Sequence, residues 1–210
     1  PWDPQKPHIW YGNRDRLRLA YPVDGKMKVQ KEIPLQAAWI EKEDIHSPEI
    51  HVTRHQAVLI RTTRILWLAD KDGSLHAVWR TASPEKKIGA ITLWNDHVVV
   101  AAEGCLIVLD SNFRQLGRVD FKLGAGKDGH HILMHETEAL VLDNIALPYY
   151  FFRVDLQDPR NPKILDAITA NAVNAHLVHQ WTDEKSGLWA VLLSTYGRGG
   201  HLEEILAMDL

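Results

Sequence analysis

Residues 88 to 121 read IGAITLWNDHVVVAAEGCLIVLDSNFRQLGRVDF, in which short apolar runs alternate with turn-forming residues. The turn signals are Asn95-Asp96, Glu103-Gly104 and Ser111-Asn112. Apolar, β-branched runs joined by polar turns of this length are typical of strands linked as hairpins. The stretch therefore predicts one antiparallel sheet whose four strands cover 90–94, 97–102, 105–110 and 115–120.

The third of these strands sets a register for the rest of the chain, because it ends on an apolar residue followed by an aspartate. The same ending recurs at intervals of 46, 40, 45 and 54 residues, at Val23-Asp24, Ala69-Asp70, Leu109-Asp110, Val154-Asp155 and Met208-Asp209. Four strands in each such period are typical of a β-propeller blade. A short aspartate side chain can bond the backbone of the turn that follows, so we interpret these aspartates as turn formers rather than catalysts.

The repeat predicts an all-β fold, a β-propeller of four-stranded antiparallel blades with about five blades in the 210 residues. We expect one domain, 1–210, with blades at 8–36, 49–82, 88–121, 130–170 and 175–210. The first unit lacks a first strand and the last lacks a fourth, which would leave unpaired strand edges. We therefore expect both terminal blades to be incomplete, and further chain or another protein to complete a larger ring.

The interior of this propeller is predicted from two kinds of residue. The second strands are almost uniformly apolar, which indicates burial on both faces, as at 57–60, 98–100 and 140–142. Tryptophans inside strand runs should pack between neighbouring blades, namely Trp67, Trp79, Trp94, Trp181 and Trp189. No stretch of ten residues has a helical period with caps, and the polar connection 37–48 is expected to be an exposed loop or a single helical turn.

Composition excludes several classes of protein. Hydrophobic residues make up 45% and charged residues 24%, as in ordinary globular proteins, and no apolar run is long enough to span a bilayer. The net charge of -3 does not favour a nucleic-acid partner or an anionic membrane. One basic stretch, from Arg14 to Lys31, alternates with apolar residues and is predicted to form the solvated face of a strand pair. Cys105 is the only cysteine and should be a buried thiol. Because one cysteine cannot form a disulfide within the chain, the cellular compartment cannot be inferred from disulfides and the localisation stays unknown.

Residues 139 to 169 carry a resemblance to a known family. They contain Leu140-Val141-Leu142-Asp143, then Val154-Asp155, then Asp158-Pro159 followed by Asn161-Pro162-Lys163-Ile164. This blade resembles a repeat of the LVIVD group of bacterial propellers, whereas the other units have different turns and are similar to WD40-like propellers in general. The resemblance implies a repeat scaffold and carries over no catalytic residue.

Histidine is the one residue in compositional excess, with twelve in the chain, and several fall near the start of predicted first strands. First strands line the channel of a propeller, so His51, His131 and His176, with His130 beside them, could converge there on a transition metal such as iron. Pairs such as His51 and His55 lie about 13 Å apart on a strand and cannot share one ion. Carotenoid-cleaving oxygenases hold iron on four propeller histidines, and the surroundings of His131 and His176 resemble that family, but in the reverse chain order, so no activity is carried over.

The function that these patterns favour is a non-catalytic propeller that binds another protein or supports an assembly, without a cofactor. The contacts would come from its loop face and the acidic segment Glu41 to Asp44. The alternative is a metal-dependent enzyme built on the three channel histidines. Gly124 to Gly129 has the glycine spacing of a dinucleotide-binding loop, but the helix that such a site needs does not follow it. The sequence contains no motif of a catalytic nucleophile.

Overall fold

The structure is a computed structural model, and it consists of β-strands throughout its described part. It describes residues 9–12, 16–34, 49–53, 58–69, 75–82, 87–102, 104–121, 129–143, 149–170, 175–183, 188–197 and 200–209. Eighteen strands in these ranges form five antiparallel sheets, and none of the ranges contains a helix, in agreement with the predicted all-β class. It follows that no helix in the described ranges could cross a membrane.

The chain divides into two compact units, of which the first is Pro1–Ile88. Its sheet 1 has the order β1 (Ile9–Gly12), β2 (Arg16–Val23) and β3 (Lys26–Pro34). Its sheet 2 has the order β4 (Glu49–Val52), β5 (Val58–Arg61), β6 (Ile65–Ala69) and β7 (Leu75–Arg80). The predicted loop at 37–48, with its acidic segment 41–44, lies outside the described residues.

The second unit is Gly89–Leu210 and holds the remaining sheets. Sheet 3 consists of β8 (Ile88–Trp94), β9 (His97–Ala102), β10 (Cys105–Leu109) and β11 (Gln115–Asp120). Sheet 4 consists of β12 (Gly129–His135), β13 (Glu138–Asp143), β14 (Tyr149–Asp155) and β15 (Lys163–Ala170). Sheet 5 consists of β16 (Ala175–Asp183), β17 (Leu188–Gly197) and β18 (Gly200–Asp209). The assignment of 1–210 to one domain remains a prediction.

The predicted register of the third strands is confirmed. Strands β2, β6, β10, β14 and β18 each end at or directly before the repeating aspartate. Two of the described aspartates bond the turn that follows them. The Asp110 Oδ1 atom accepts hydrogen bonds from the backbone N–H groups of Asn112 and Arg114, both at 2.8 Å, and the Asp155 Oδ1 atom accepts one from the Gln157 N–H at 2.8 Å. In the β2–β3 turn, Asp24 and Gly25 have φ angles of 50° and 73°, which is the left-handed pair of a type I′ hairpin.

The core of the second unit lies between sheets 3 and 4. The second strands β9 and β13 contribute fully buried residues, including Val99 and Val141, and Phe121 stacks on Phe152 with ring centroids 4.3 Å apart. In the first unit, Val58–Ile60 of β5 are equally buried. The prediction that second strands are buried on both faces is thus confirmed, as is the buried thiol of Cys105.

The tryptophan prediction is confirmed where side chains are described in most detail, at Trp94. This residue ends β8, belongs to the core between sheets 3 and 4, and donates its indole N–H to the Glu136 carbonyl oxygen at 2.6 Å. Trp67 and Trp79 are half-buried on β6 and β7. Trp181 and Trp189 lie on β16 and β17, and their side chains lie outside the described part.

Candidate interaction surface

The three histidines proposed as metal ligands all lie on the first strands of their sheets. His51 is on β4, His131 on β12 and His176 on β16, opposite Leu59, Leu142 and Ser194 respectively. Among the described residues, no group of three or more His, Cys, Asp or Glu side chains could hold a metal ion. The side chain of His176 lies outside that part, so convergence of the three imidazoles remains a prediction.

His51 belongs to a charged cluster at the start of β4. Its Nε2 atom lies 3.5 Å from an Oε atom of Glu49, and Arg61, directly opposite Glu49 on β5, donates two hydrogen bonds to the same carboxylate at 2.6 and 2.9 Å. A further N–H of Arg61 bonds the carbonyl oxygen of Ile88 at 2.7 Å. The guanidinium therefore links the first two strands of sheet 2 to Ile88, the last residue of the first unit.

Electrostatics at this cluster stabilise the ionised carboxylate. Burial by itself would raise the pKa of Glu49, but the hydrogen bonds from Arg61, its charge and the neighbouring His51 imidazole outweigh it and lower the pKa to about 2. Two parallel N–H bonds from one guanidinium are the strong form of an arginine–carboxylate pair. Glu49 and Arg61 therefore have a structural role, because their contacts join β4 to β5.

The turns of sheets 3 and 4 form a second ordered region. The Trp94 indole reaches the β12–β13 turn, and the Thr137 carbonyl oxygen of the same turn accepts a 2.8 Å bond from the Leu156 N–H. The turn at 158–162, which carries the LVIVD resemblance, lies against Gly117 of β11 so closely that a Cβ atom there would be 2.7 Å from Pro162 Cδ. Sheets 3 and 4 are thus locked together at their turns.

The β2–β3 hairpin of the first unit is different, because its turn end is exposed on both faces, although Leu19 and Ala20 farther along β2 are buried. Every residue from Pro22 to Gln30 is exposed. Four of the six large hydrophobic side chains that are exposed in the described residues lie on sheet 1: Tyr11 (38%), Val23 (38%), Met27 (46%) and Val29 (43%). In β3, Met27 and Val29 are opposite Pro22 and Ala20, so they share one face of the hairpin.

Basic residues lie on both faces of the hairpin, so the prediction of a single solvated basic face is wrong. Arg16 and Arg18 share the face of Met27 and contact Glu32, with N···O distances of 2.9 and 2.7 Å. The hydrogen bond from Arg18 lowers the pKa of Glu32. On the other face, Lys26, Lys28 and Lys31 lie opposite Val23, Tyr21 and Leu19.

Lysines alternate with apolar residues in the sequence of β3, but this alternation does not show whether the apolar face is buried. A strand that alternates in this way ordinarily buries its apolar face. Here the face with Met27 and Val29 is exposed as well, and that depends on what packs against sheet 1 rather than on the sequence of β3.

Comparison with known proteins identifies the fold. The chain is similar to a protein of unknown function from Bacteroides caccae (TM-score 0.58, 12% identity, covering 98% of this chain and 73% of that one). It is similar also to a chain in the complex of BBS1N with ARL6DN (TM-score 0.60, 13% identity, 98% and 62%). A third neighbour comes from the nidogen/laminin complex (TM-score 0.57, 12% identity, 95% and 77%).

The BBS1N and nidogen/laminin structures contain propellers, and with the four-stranded antiparallel sheets they confirm the predicted β-propeller class. At such low identity the likeness shows the fold alone. The chain spans less than two thirds of the BBS1N chain and half of one in the mitotic checkpoint complex. No protein-family model and no curated relative matches the chain, so the LVIVD resemblance gains no support.

Proposed function

We propose that this propeller is a non-catalytic module that binds another protein. The observation that carries the proposal is the exposed apolar face of sheet 1, where Tyr11, Met27 and Val29 lie on the same side of the sheet and are exposed. Exposed apolar side chains that cluster on one element, rimmed by polar and charged residues, are characteristic of protein-binding surfaces.

The arrangement of charged side chains elsewhere supports a scaffold role. Glu49 is held by Arg61, and Glu138 accepts two bonds from Arg153 at 2.8 and 3.1 Å, so these half-buried ionic groups connect neighbouring strands. Side-chain pairs of this kind stabilise a sheet. These pairs stabilise sheets 2 and 4, each within its own unit.

The proposal is tested by affinity capture with the full chain, followed by titration of the purified partner. We expect saturable binding that is weakened at least about tenfold by Met27→Glu together with Val29→Glu, because a charge in the centre of an apolar contact is costly. Leu165→Glu, at an exposed apolar position on β15, is the matched control and should leave affinity unchanged. Absence of any saturable partner, or equal affinity of the double variant, would contradict the proposal.

A metal-dependent propeller enzyme is the second candidate, and it is supported by the position of His51, His131 and His176 on the first strands of three sheets. Metal analysis of untagged protein, compared with His131→Ala, separates the two candidates. Stoichiometric metal that is lost in the variant would favour the enzyme. Metal-free protein, or metal retained by the variant, would remove this candidate.

A further inference from the structure

Strand β3 forms an edge of sheet 1. Among the described residues it pairs only with β2, so the N–H and C=O groups of Lys26 to Val29 that do not face β2 point away from the sheet. An open edge of this kind is a template for another extended segment. The corresponding fourth strand of sheet 3, β11, has six residues and is partly covered, since Gly117 is buried beneath the 158–162 turn.

The two faces of β3 specify the side chains that an added strand would need. On one face, Met27 and Val29 are exposed and offer apolar contact. On the other face, Lys26 and Lys28 are exposed, and no ion pair of either is seen within the described ranges, whereas Arg16 and Arg18 are already satisfied by Glu32. Within the described part of the chain, the exposed lysines therefore stand beside a strand that pairs with β2 alone.

Charge identifies the class of partner. Residues 16–34 contain five basic and two acidic side chains, a net charge of +3, in a chain whose net charge is -3. Like charges directly opposite one another destabilise a strand pair, so the lysines disfavour pairing of β3 with a second copy of itself. They favour a segment whose carboxylates lie opposite them.

We infer that β3 binds an acidic, extended segment of a partner protein, in which carboxylate and apolar side chains alternate, by strand addition. This inference deepens the proposed function and rests on it. The carboxylates would face Lys26 and Lys28, the apolar side chains would cover Met27 and Val29, and the β3 backbone would supply the hydrogen bonds. Such pairing gives affinity through the main chain and specificity through alternate side chains.

The test uses a labelled peptide of about ten residues that alternates valine with glutamate, titrated with the full chain and followed by fluorescence anisotropy. We expect saturable binding that weakens as salt rises from about 50 to about 300 mM, since the lysines are exposed. A peptide with lysine in place of glutamate should not bind. Absence of binding by the acidic peptide, or equal binding of the two, would overturn the inference.

Two variants separate the surface from a general effect of charge. Lys26→Glu with Lys28→Glu should weaken peptide binding about tenfold, as expected for the reversal of two exposed charges. Arg114→Glu with Arg160→Glu makes the same change in net charge at exposed turns of the second unit and should leave affinity within about twofold. Equal losses in both variants would contradict a site at β3.

Amide hydrogen exchange distinguishes strand addition at β3 from binding of the peptide through charge alone. The peptide should slow exchange within 26–34, because outward N–H groups become hydrogen-bonded, and leave the edge strand β15 unchanged. Protection at β15 instead of β3, or reversible self-association that the lysine substitutions abolish, would overturn the inference. If a protein partner is captured but the acidic peptide does not bind, strand addition at β3 is refuted and the proposed function stands. If the peptide binds but no protein partner is found, the proposed function is refuted.

Discussion

Replacement of Gly117 by alanine should destabilise the second unit, although alanine is ordinarily the better residue in a strand. A Cβ atom at this position would lie 2.7 Å from Pro162 Cδ and 2.9 Å from the backbone carbonyl carbon of Arg160, and it would also meet the carbonyl oxygen of Pro159. Ordinary contacts begin near 3.4 Å, so the turn would have to move by about 0.7 Å from Pro162 alone. Two of the three atoms belong to the backbone and cannot rotate away.

The magnitude follows from two opposing effects. Overpacking of a well-packed site costs about 1–3 kcal/mol, while the loss of glycine's freedom in the unfolded chain returns roughly 0.4–1 kcal/mol. The net expectation is a loss of about 1–2 kcal/mol, which for a chain of this size lowers Tm by roughly 2–8 °C. Gly117→Val should cost more, because its two γ-methyl groups enlarge the clash.

The assay is urea and thermal unfolding followed by circular dichroism, with Gln115→Ala, at an exposed position on the same strand, as control. A double-mutant cycle with Pro162→Ala supplies the decisive comparison. Removal of the proline ring relieves one contact, so the cost of Gly117→Ala should shrink in that background. An alanine variant as stable as the parent, or strictly additive effects of the two substitutions, would refute the packing argument.

Three further outcomes are expected. Trp94→Phe removes the hydrogen bond to Glu136 and leaves a carbonyl oxygen without that partner, so the free energy of unfolding should fall by about 1–3 kcal/mol; an unchanged urea midpoint would contradict this role. Glu49 has a folded-state pKa of about 2, below its ordinary 4.5, so the stability it contributes is present above pH 4.5 and is lost as pH falls towards 2. Because that side chain is 44% exposed, the contribution is only about 1–2 kcal/mol after solvent screening, and Glu49→Gln should flatten the acid limb of the stability profile; an unaltered limb would show that another group titrates. Asp110→Ala removes two turn hydrogen bonds and should cost about 1 kcal/mol in urea unfolding, whereas Asp110→Asn, which keeps an acceptor oxygen, should cost less; equal losses would argue against the turn role.

The location of a site was only partly visible in the sequence. The histidine alignment placed His51, His131 and His176 on first strands, and each lies there, but the partners of His51 were not predicted. Arg61 is ten residues from His51 in the chain and reaches the same carboxylate, Glu49, because the β4–β5 pairing brings it directly opposite. Such a pair depends on the register between two strands and on side-chain length, neither of which a repeat period specifies.

The sequence by itself determined the repeating strands, their order and the aspartate turns, because a hairpin is a local structure whose period and turn residues lie close together in the chain. The tertiary structure alone decided which surfaces are covered. Gly117 accepts the 158–162 turn because sheets 3 and 4 pack together, and Met27 and Val29 are exposed because no described segment covers that face of β3. Burial is a property of neighbours distant in the chain, so an alternating strand has the same sequence pattern whether its apolar face is packed or exposed.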